Sequence, residues 1–201
     1  MIELIVDGVF AMDSAHTATE QALATRALAA LPDRPLDIVV GGLGLGYTCA
    51  ALLEDPRVRH LVVIELHAAI VEWVRAGLVP SARGLLDDPR VQVEIADVLD
   101  AVPALPAAGA DAVLLDVDNG PDFLVHPGNA PVYAAPFLAA AARSLRPGGV
   151  LGVWSADPSP PLAALLEQVH GPCEEVLLPV ERDGRRFSYA LYLASGAGAA
   201  R

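Results

Sequence analysis

The 201-residue chain has only two cysteines, Cys49 and Cys173, far apart and in no metal-like spacing. This excludes a disulfide framework and a cysteine-built zinc site. Cys49, inside the apolar run YTCAALL, reads as a small core residue. Long hydrophobic runs are missing too, since no stretch approaches the ~18 consecutive apolar residues of a membrane span. The first thirty residues carry Glu3, Asp7, Asp13 and Glu20 and no basic n-region, so no secretory leader is expected. Basic residues are scarce: thirteen against twenty-five acidic ones give a net charge of −12. Such a surface repels phosphate backbones and argues against nucleic acid as a partner, while it tolerates a cationic substrate. The expectation is a cytoplasmic protein acting on a small molecule, with no metal and no membrane or nucleic-acid partner.

What is present is a core. Apolar residues make up 54% of the chain, and a domain of this length removes roughly 70% of its unfolded surface from water. Nearly continuous apolar runs fall at Asp37–Val40, His60–Glu65, Val91–Ile95, Ala112–Asp116 and Val150–Trp154, the pattern of parallel strands covered on both faces. Between them the sequence predicts helices at Tyr47–Leu53, Ala68–Gly77, near Leu99–Leu105 and at Val132–Leu145. A further helix, Pro161–Val169, carries an apolar stripe at Leu162, Leu165, Leu166 and Val169. The alternation implies a doubly wound, Rossmann-like α/β fold. Its mostly parallel seven-stranded sheet ends in an antiparallel hairpin, CEEVLLPVERDGRRFSYALYLA, turning at Asp183–Gly184. A short N-terminal hairpin, ELIVDGVFAM, turns at Asp7–Gly8, and a helix runs from about Thr17 to Ala30. Pro32 and Pro35 then separate an extension, residues 1–35, from the main domain, residues 36–195. The tail SGAGAAR reads as frayed.

Ligands of open α/β sheets bind beyond the carboxyl ends of the strands, and there this chain places one glycine loop and three acids. IVVGGLGLGY runs from the first sheet strand into a helix whose N-terminal N–H groups face a polar ligand. Glu65, Asp97 and Asp116 end the next three strands. Each acid has a plain reading as a loop or helix cap, strongest for Asp97 before the helix at Val98; four such features on one edge argue for a site. A dinucleotide fingerprint needs G-x-G-x-x-G, and this chain has Tyr47 where the last glycine would stand. The acid after the second strand suits a ribose diol.

With these motifs the chain resembles the class I S-adenosylmethionine-dependent transferases, and more closely their spermidine synthase-like branch. The resemblance rests on IVVGGLGLGYT, VVIELHAAIVEW, DDPRVQVEIADV, ADAVLLDVDNGPD, LRPGGVLGVW, the closing hairpin and the early LIVDGV. It implies S-adenosylmethionine or its decarboxylated form as cofactor, with the methionine-derived tail on Gly41, Gly42, Leu43, Gly44 and Gly46. It places the ribose on Glu65 and the adenine amino group on Asp97, with Leu66 and Val98 packing on the ring. Asp116, then Asp118, would handle the attacking amine's proton. Asn119, His126 and Tyr133 are substrate-side candidates, with Asn129 beside them; the acceptor would be a small amine such as a polyamine. A homodimer is carried as a further expectation. Two segments depart from that family: GGLGLG stands for GGGDGG, with Gly44 at the acid's place, and DVDNGPD stands for DSSDP.

Both aminopropyl and methyl transfer displace an activated sulfonium leaving group, so positioning dominates catalysis, and an amine nucleophile needs a carboxylate to take its proton. A methyltransferase and a non-catalytic nucleoside-binding protein therefore stay open beside aminopropyl transfer. DVDNGPD also reads as a plain turn, His126 as a surface histidine in a long loop over the site, and Trp73 as core. His67 flanks the ribose acid, and His16 and Glu20 would cover the site from the N-terminal helix.

Overall fold

The computed structural model describes residues 2–6, 8–14, 17–182 and 184–196. The turn positions Asp7 and Asp183, His16, and residues 197–201 of the tail lie outside the described residues. β1 (Glu3–Val6) and β2 (Val9–Asp13) pair antiparallel as a separate two-stranded sheet. α1 (Ala18–Ala30) follows, and the main sheet begins with β3 (Leu36–Gly41).

From there strands and helices alternate: α2 (Tyr47–Leu53), β4 (Val58–Glu65), α3 (Ala68–Arg75), β5 (Val91–Ile95), α4 (Val98–Ala104), β6 (Ala110–Leu115), α5 (Ala135–Ser144), β7 (Leu145–Ser155) and α6 (Pro160–Val169). The chain closes with β8 (Cys173–Arg182) and β9 (Arg185–Ser195). The seven strands lie in the order β5-β4-β3-β6-β7-β9-β8. β3 to β7 are parallel, β9 runs antiparallel to β7, and β8 pairs back onto β9. This is the expected Rossmann-like sheet with its terminal hairpin.

Side-chain alternation explains why helices cover both faces. On β3, Ile38 and Val40 join one core with Leu23, Leu52 and Leu61, while Val39 joins the other. On β6, Ala112 and Leu114 face the first core, and Val113 and Leu115 face the second with Leu138 and Leu151. Apolar residues on both faces of a strand leave neither face for water. α1 packs into the first core through Leu23, Ala24, Ala27 and Leu28.

At the opposite end of the sheet, one buried and one half-buried acid are tied down by arginines. Asp111, 1% exposed, accepts from Arg34 and Arg146 at 2.6 Å each and from the Asp37 N–H at 2.8 Å. Asp37 in turn accepts from Arg59 and Arg146. These pairs join β3, β6 and β7 at their starts.

Two boundaries and one burial assignment differ from what the sequence predicts. Pro131 and Pro136 make residues Pro127–Tyr133 a 3₁₀ turn, so α5 begins only at Ala135. β7 starts at Leu145 because Leu145 already pairs with Ala110. Trp73 is not core: Ile70, Val71 and Val74 take the inner face of α3 and leave Trp73 46% exposed. No helix among the described residues is long and apolar enough to cross a membrane.

Candidate active site

The chain departs in opposite directions from β3 and β6, two adjacent parallel strands, and beyond their carboxyl ends opens a cleft. The strand ends are laced together there: the Asp116 N–H donates to the Gly41 carbonyl at 2.9 Å and the Gly42 N–H to the Ile64 carbonyl at 2.8 Å. Gly42 holds φ +93°, and a Cβ on it would overlap the carbonyl oxygen of Asp116. A glycine here is therefore forced by the close passage of two strand ends, before any ligand is considered.

The remaining glycines of the loop do different work. At Gly44 a Cβ would lie 2.6 Å from the Met12 sulfur, and that sulfur accepts the Leu45 N–H at 3.3 Å. β2 thus lays a methionine over the loop at the position where the resemblance places an acid. Gly42 and Gly44 line the cleft. Gly41 is turned between Val98 and Val117, Leu43 is buried in the core, and Gly46 packs on Ala82.

Glu65, at the end of β4, is buried and accepts from the Leu43 N–H and the His67 N–H, both at 2.8 Å. One carboxylate so fixes the glycine loop to the start of α3, and its remaining lone pairs are available to a diol. Asp97 caps α4, accepting from the Leu99 N–H at 2.9 Å. It also lines the cleft, with Leu66 and Val98 beside it. The cap reading and the ligand reading of Asp97 are therefore compatible.

Asp116 lines the cleft just after β6. The Thr48 hydroxyl donates to it at 2.7 Å. Burial raises its carboxyl to about 6, against the pull of that hydrogen bond. Glu20, on α1, reaches the same space and is only 5% exposed. Burial, then the Asp116 charge, raises Glu20 to about 7, with Asp13 adding to the rise and the Thr19 hydroxyl, 2.7 Å away, opposing it. Cys49 sits near Asp116 and Glu65, and burial pushes its thiol far up, so it is inert as a nucleophile.

Asp118 is spent on its own loop. Its carboxylate accepts from the N–H groups of Asn119, Val125 and His126 and from Asn129 Nδ2. That set of donors makes it the fastener of the segment between β6 and α5. Asn119 also donates to the Phe10 carbonyl at 3.3 Å, tying this loop to β2. Asp118, Asn119, His126 and Asn129 line the cleft; Tyr133 stands behind them, its hydroxyl raised by burial and by the Asp118 charge.

Ten of the fourteen candidates therefore line one cleft, while Gly41, Leu43, Gly46 and Tyr133 are set back from it. Three contributors escaped the sequence reading: Thr48, Met12 and Trp154. Trp154 ends a sheet strand, as the acids do, and that position was a usable signal. Among the described residues five carboxylates line the cleft, at Glu20, Glu65, Asp97, Asp116 and Asp118, and no arginine does. Such a lining is electrostatically suited to a cation.

The two buried acids set a pH dependence. Their folded-state values lie above the ordinary 4.5 and 3.8, so folding favours their protonated forms. Their favourable contribution is full at low pH and is lost as pH rises through about 6 and about 7. Glu20→Gln is expected to be more stable than the parent at pH 8 by about 3 kcal/mol, roughly 5–10 °C in Tm, with the gap closing near pH 4. Thermal unfolding of both proteins across that range checks it; a gap independent of pH would contradict the assignment.

Residues 16–160 match the Spermine/spermidine synthase domain. A polyamine aminopropyltransferase of Mycobacterium tuberculosis is 37% identical over 131 residues, which are 64% of this chain and 24% of that protein. Putrescine N-methyltransferase 4 of Nicotiana tabacum is 28% identical over 124 residues, 62% of this chain and 30% of that protein. The chain thus matches only about a quarter to a third of the length of these curated relatives. Among solved structures, a spermidine synthase in complex with the transition state analogue AdoDATO superposes with a TM-score of 0.81 at 19% identity, over 98% of this chain and 67% of that one. Spermidine synthase from Thermotoga maritima gives 0.77 at 17% identity, over 98% and 65%. These structural likenesses establish the fold. The domain match covers well over half of the sequence, and the chain belongs to the spermine/spermidine synthase family.

Proposed function

We propose that the protein transfers an aminopropyl group from decarboxylated S-adenosylmethionine to a small alkylamine of the polyamine class. The observation that carries this reading is Asp116. It is a strand-end carboxylate in a five-carboxylate cleft, raised to about 6, so it is ionised at neutral pH and still basic enough to take a proton. Glu65 holds the ribose diol, and Asp97 with Leu66 and Val98 holds the adenine. An ammonium arriving at Asp116 gives up one proton to it, which leaves the nitrogen neutral with its lone pair free. That lone pair forms the new bond to the propyl carbon, the carbon–sulfur bond breaks, and its electron pair leaves with sulfur as a neutral thioether. Thr48 keeps Asp116 aimed, and the loop fastened by Asp118 covers the acceptor's side.

The relatives include both an aminopropyltransferase and a putrescine N-methyltransferase, which makes the donor the deciding test. Calorimetric titration with decarboxylated S-adenosylmethionine and, separately, with S-adenosylmethionine is expected to show at least roughly tenfold tighter binding of the decarboxylated form, the size of one misplaced buried charge. The opposite preference would make this a methyltransferase, and no binding of either would end the transferase reading.

A further inference from the structure

We propose that Glu20 is the second substrate-binding carboxylate of this cleft, clamping the acceptor's ammonium against Asp116 while the acceptor's alkyl body lies on Leu4, Val6 and Ala11. This rests on the amine-transfer reading of the cleft and adds to it a residue on an element outside the glycine loop and the strand ends.

The contrast with the other buried acids is the first argument. Asp111 is as deeply buried as Glu20, but it is held by two arginines. Glu65 and Asp118 are held instead by sets of N–H donors from two or more other residues, and buried carboxylates that serve the fold are satisfied in one of these two ways. Glu20 has no cationic side chain against it among the described residues. Its neighbours are acids, Asp116 after β6 and Asp13 on β2, together with the hydroxyl of Thr19. An acid kept beside other acids in a closed space is unfavourable unless a cation arrives.

Position is the second argument. The Thr48 hydroxyl lies 2.7 Å from the Asp116 carboxylate and 3.3 Å from the Glu20 carbonyl. α1 and the end of β6 are thus pinned to one atom of α2, with both side chains lining the cleft. Met12 fills the space over Gly44, so the glycine loop offers no carboxylate there and Glu20 supplies one from across the cleft.

An independent sign of a ligand lies at the same end. Trp154 lines the cleft, is 6% exposed, and its indole Nε1 is buried without a hydrogen-bond partner among the described residues. A buried donor left open costs free energy until a ligand or solvent atom meets it. Leu4, Val6, Ala11 and Met12 complete an apolar wall that suits methylene groups. An alkylamine satisfies both features: a charged head for the two carboxylates and an apolar chain for the wall.

The test uses Glu20→Gln, which keeps the size and hydrogen-bonding capacity of the side chain, with putrescine and n-butylamine as amine probes and 5′-methylthioadenosine as the nucleoside probe. Amine affinity is expected to fall roughly tenfold to a hundredfold, with nucleoside affinity unchanged. Wild-type protein at pH 7 should release protons on binding the amine, seen as heats that differ between buffers of different ionisation enthalpy, and E20Q should release fewer. In turnover the amine KM should rise far more than kcat falls. Unchanged amine binding and proton release in E20Q would overturn the inference and leave the proposed function standing. Joint loss of amine and nucleoside binding would assign Glu20 a structural role and overturn it as well. Wild-type protein that binds the nucleoside but neither amine would overturn the amine-transfer reading itself.

Discussion

Asp116→Asn is expected to lower kcat for amine transfer by roughly 10²–10⁴-fold, the usual contribution of a positioned general base, while nucleoside affinity changes little. Asparagine keeps the shape and can still accept from the Thr48 hydroxyl, but it cannot take a proton. The pH profile separates this loss from simple disruption. kcat/KM of the parent should rise with pH through the range of about 6 to 7 in which Asp116 and Glu20 titrate, reporting the pair rather than either acid. In the variant that limb should flatten. Unfolding cannot mimic the result, because removing a buried carboxylate of raised pKa stabilises the fold at neutral pH. An Asn variant with parental kcat would show that the proton leaves by another route.

Gly42→Ala should be among the most damaging single changes in the chain, at about 3–5 kcal/mol. Two costs add. The backbone at φ +93° is strained for any L side chain, and the new Cβ would overlap the Asp116 carbonyl. That obstacle is backbone, not the end of a flexible side chain, so β3 and β6 must part to make room. The strand that moves is the one presenting Asp116, and activity should fall with stability. Denaturant unfolding beside a Gly184→Ala control measures the cost. Gly184 also has positive φ, but a Cβ there meets nothing, so its penalty should be confined to backbone strain. Equal losses at the two positions would contradict the steric account.

Read along the chain, the sheet and the edge that carries the site are visible without coordinates, because the signals are local. Buried parallel strands must be apolar on both faces, so β3, β6 and the second half of β4 appear as apolar runs, whereas β5, VQVEI at the sheet edge, alternates and has no buried residue. The glycines and acids that follow them mark the ends. The cap at Asp97 is equally local, since it needs only the N–H two residues on. The site's second half is not legible this way. The sequence places Glu20 over the site from the N-terminal helix, but that it meets Asp116 is decided only when α1 packs on α2. Met12 over Gly44 depends on how the N-terminal hairpin folds across the sheet edge. Asp118, which the motif paired with Asp116, is turned into its own loop by four donors that the irregular segment assembles only when folded. Trp73 misled for a related reason: on a helix, three apolar neighbours compete for one inner face. The sequence alone thus determined the fold class and the acids at the strand ends, through apolar strand runs and the residues adjacent to their ends. Only the tertiary structure decided which carboxylates meet, because that depends on contacts between segments far apart in the chain, whose relative placement is set by packing rather than by any local pattern.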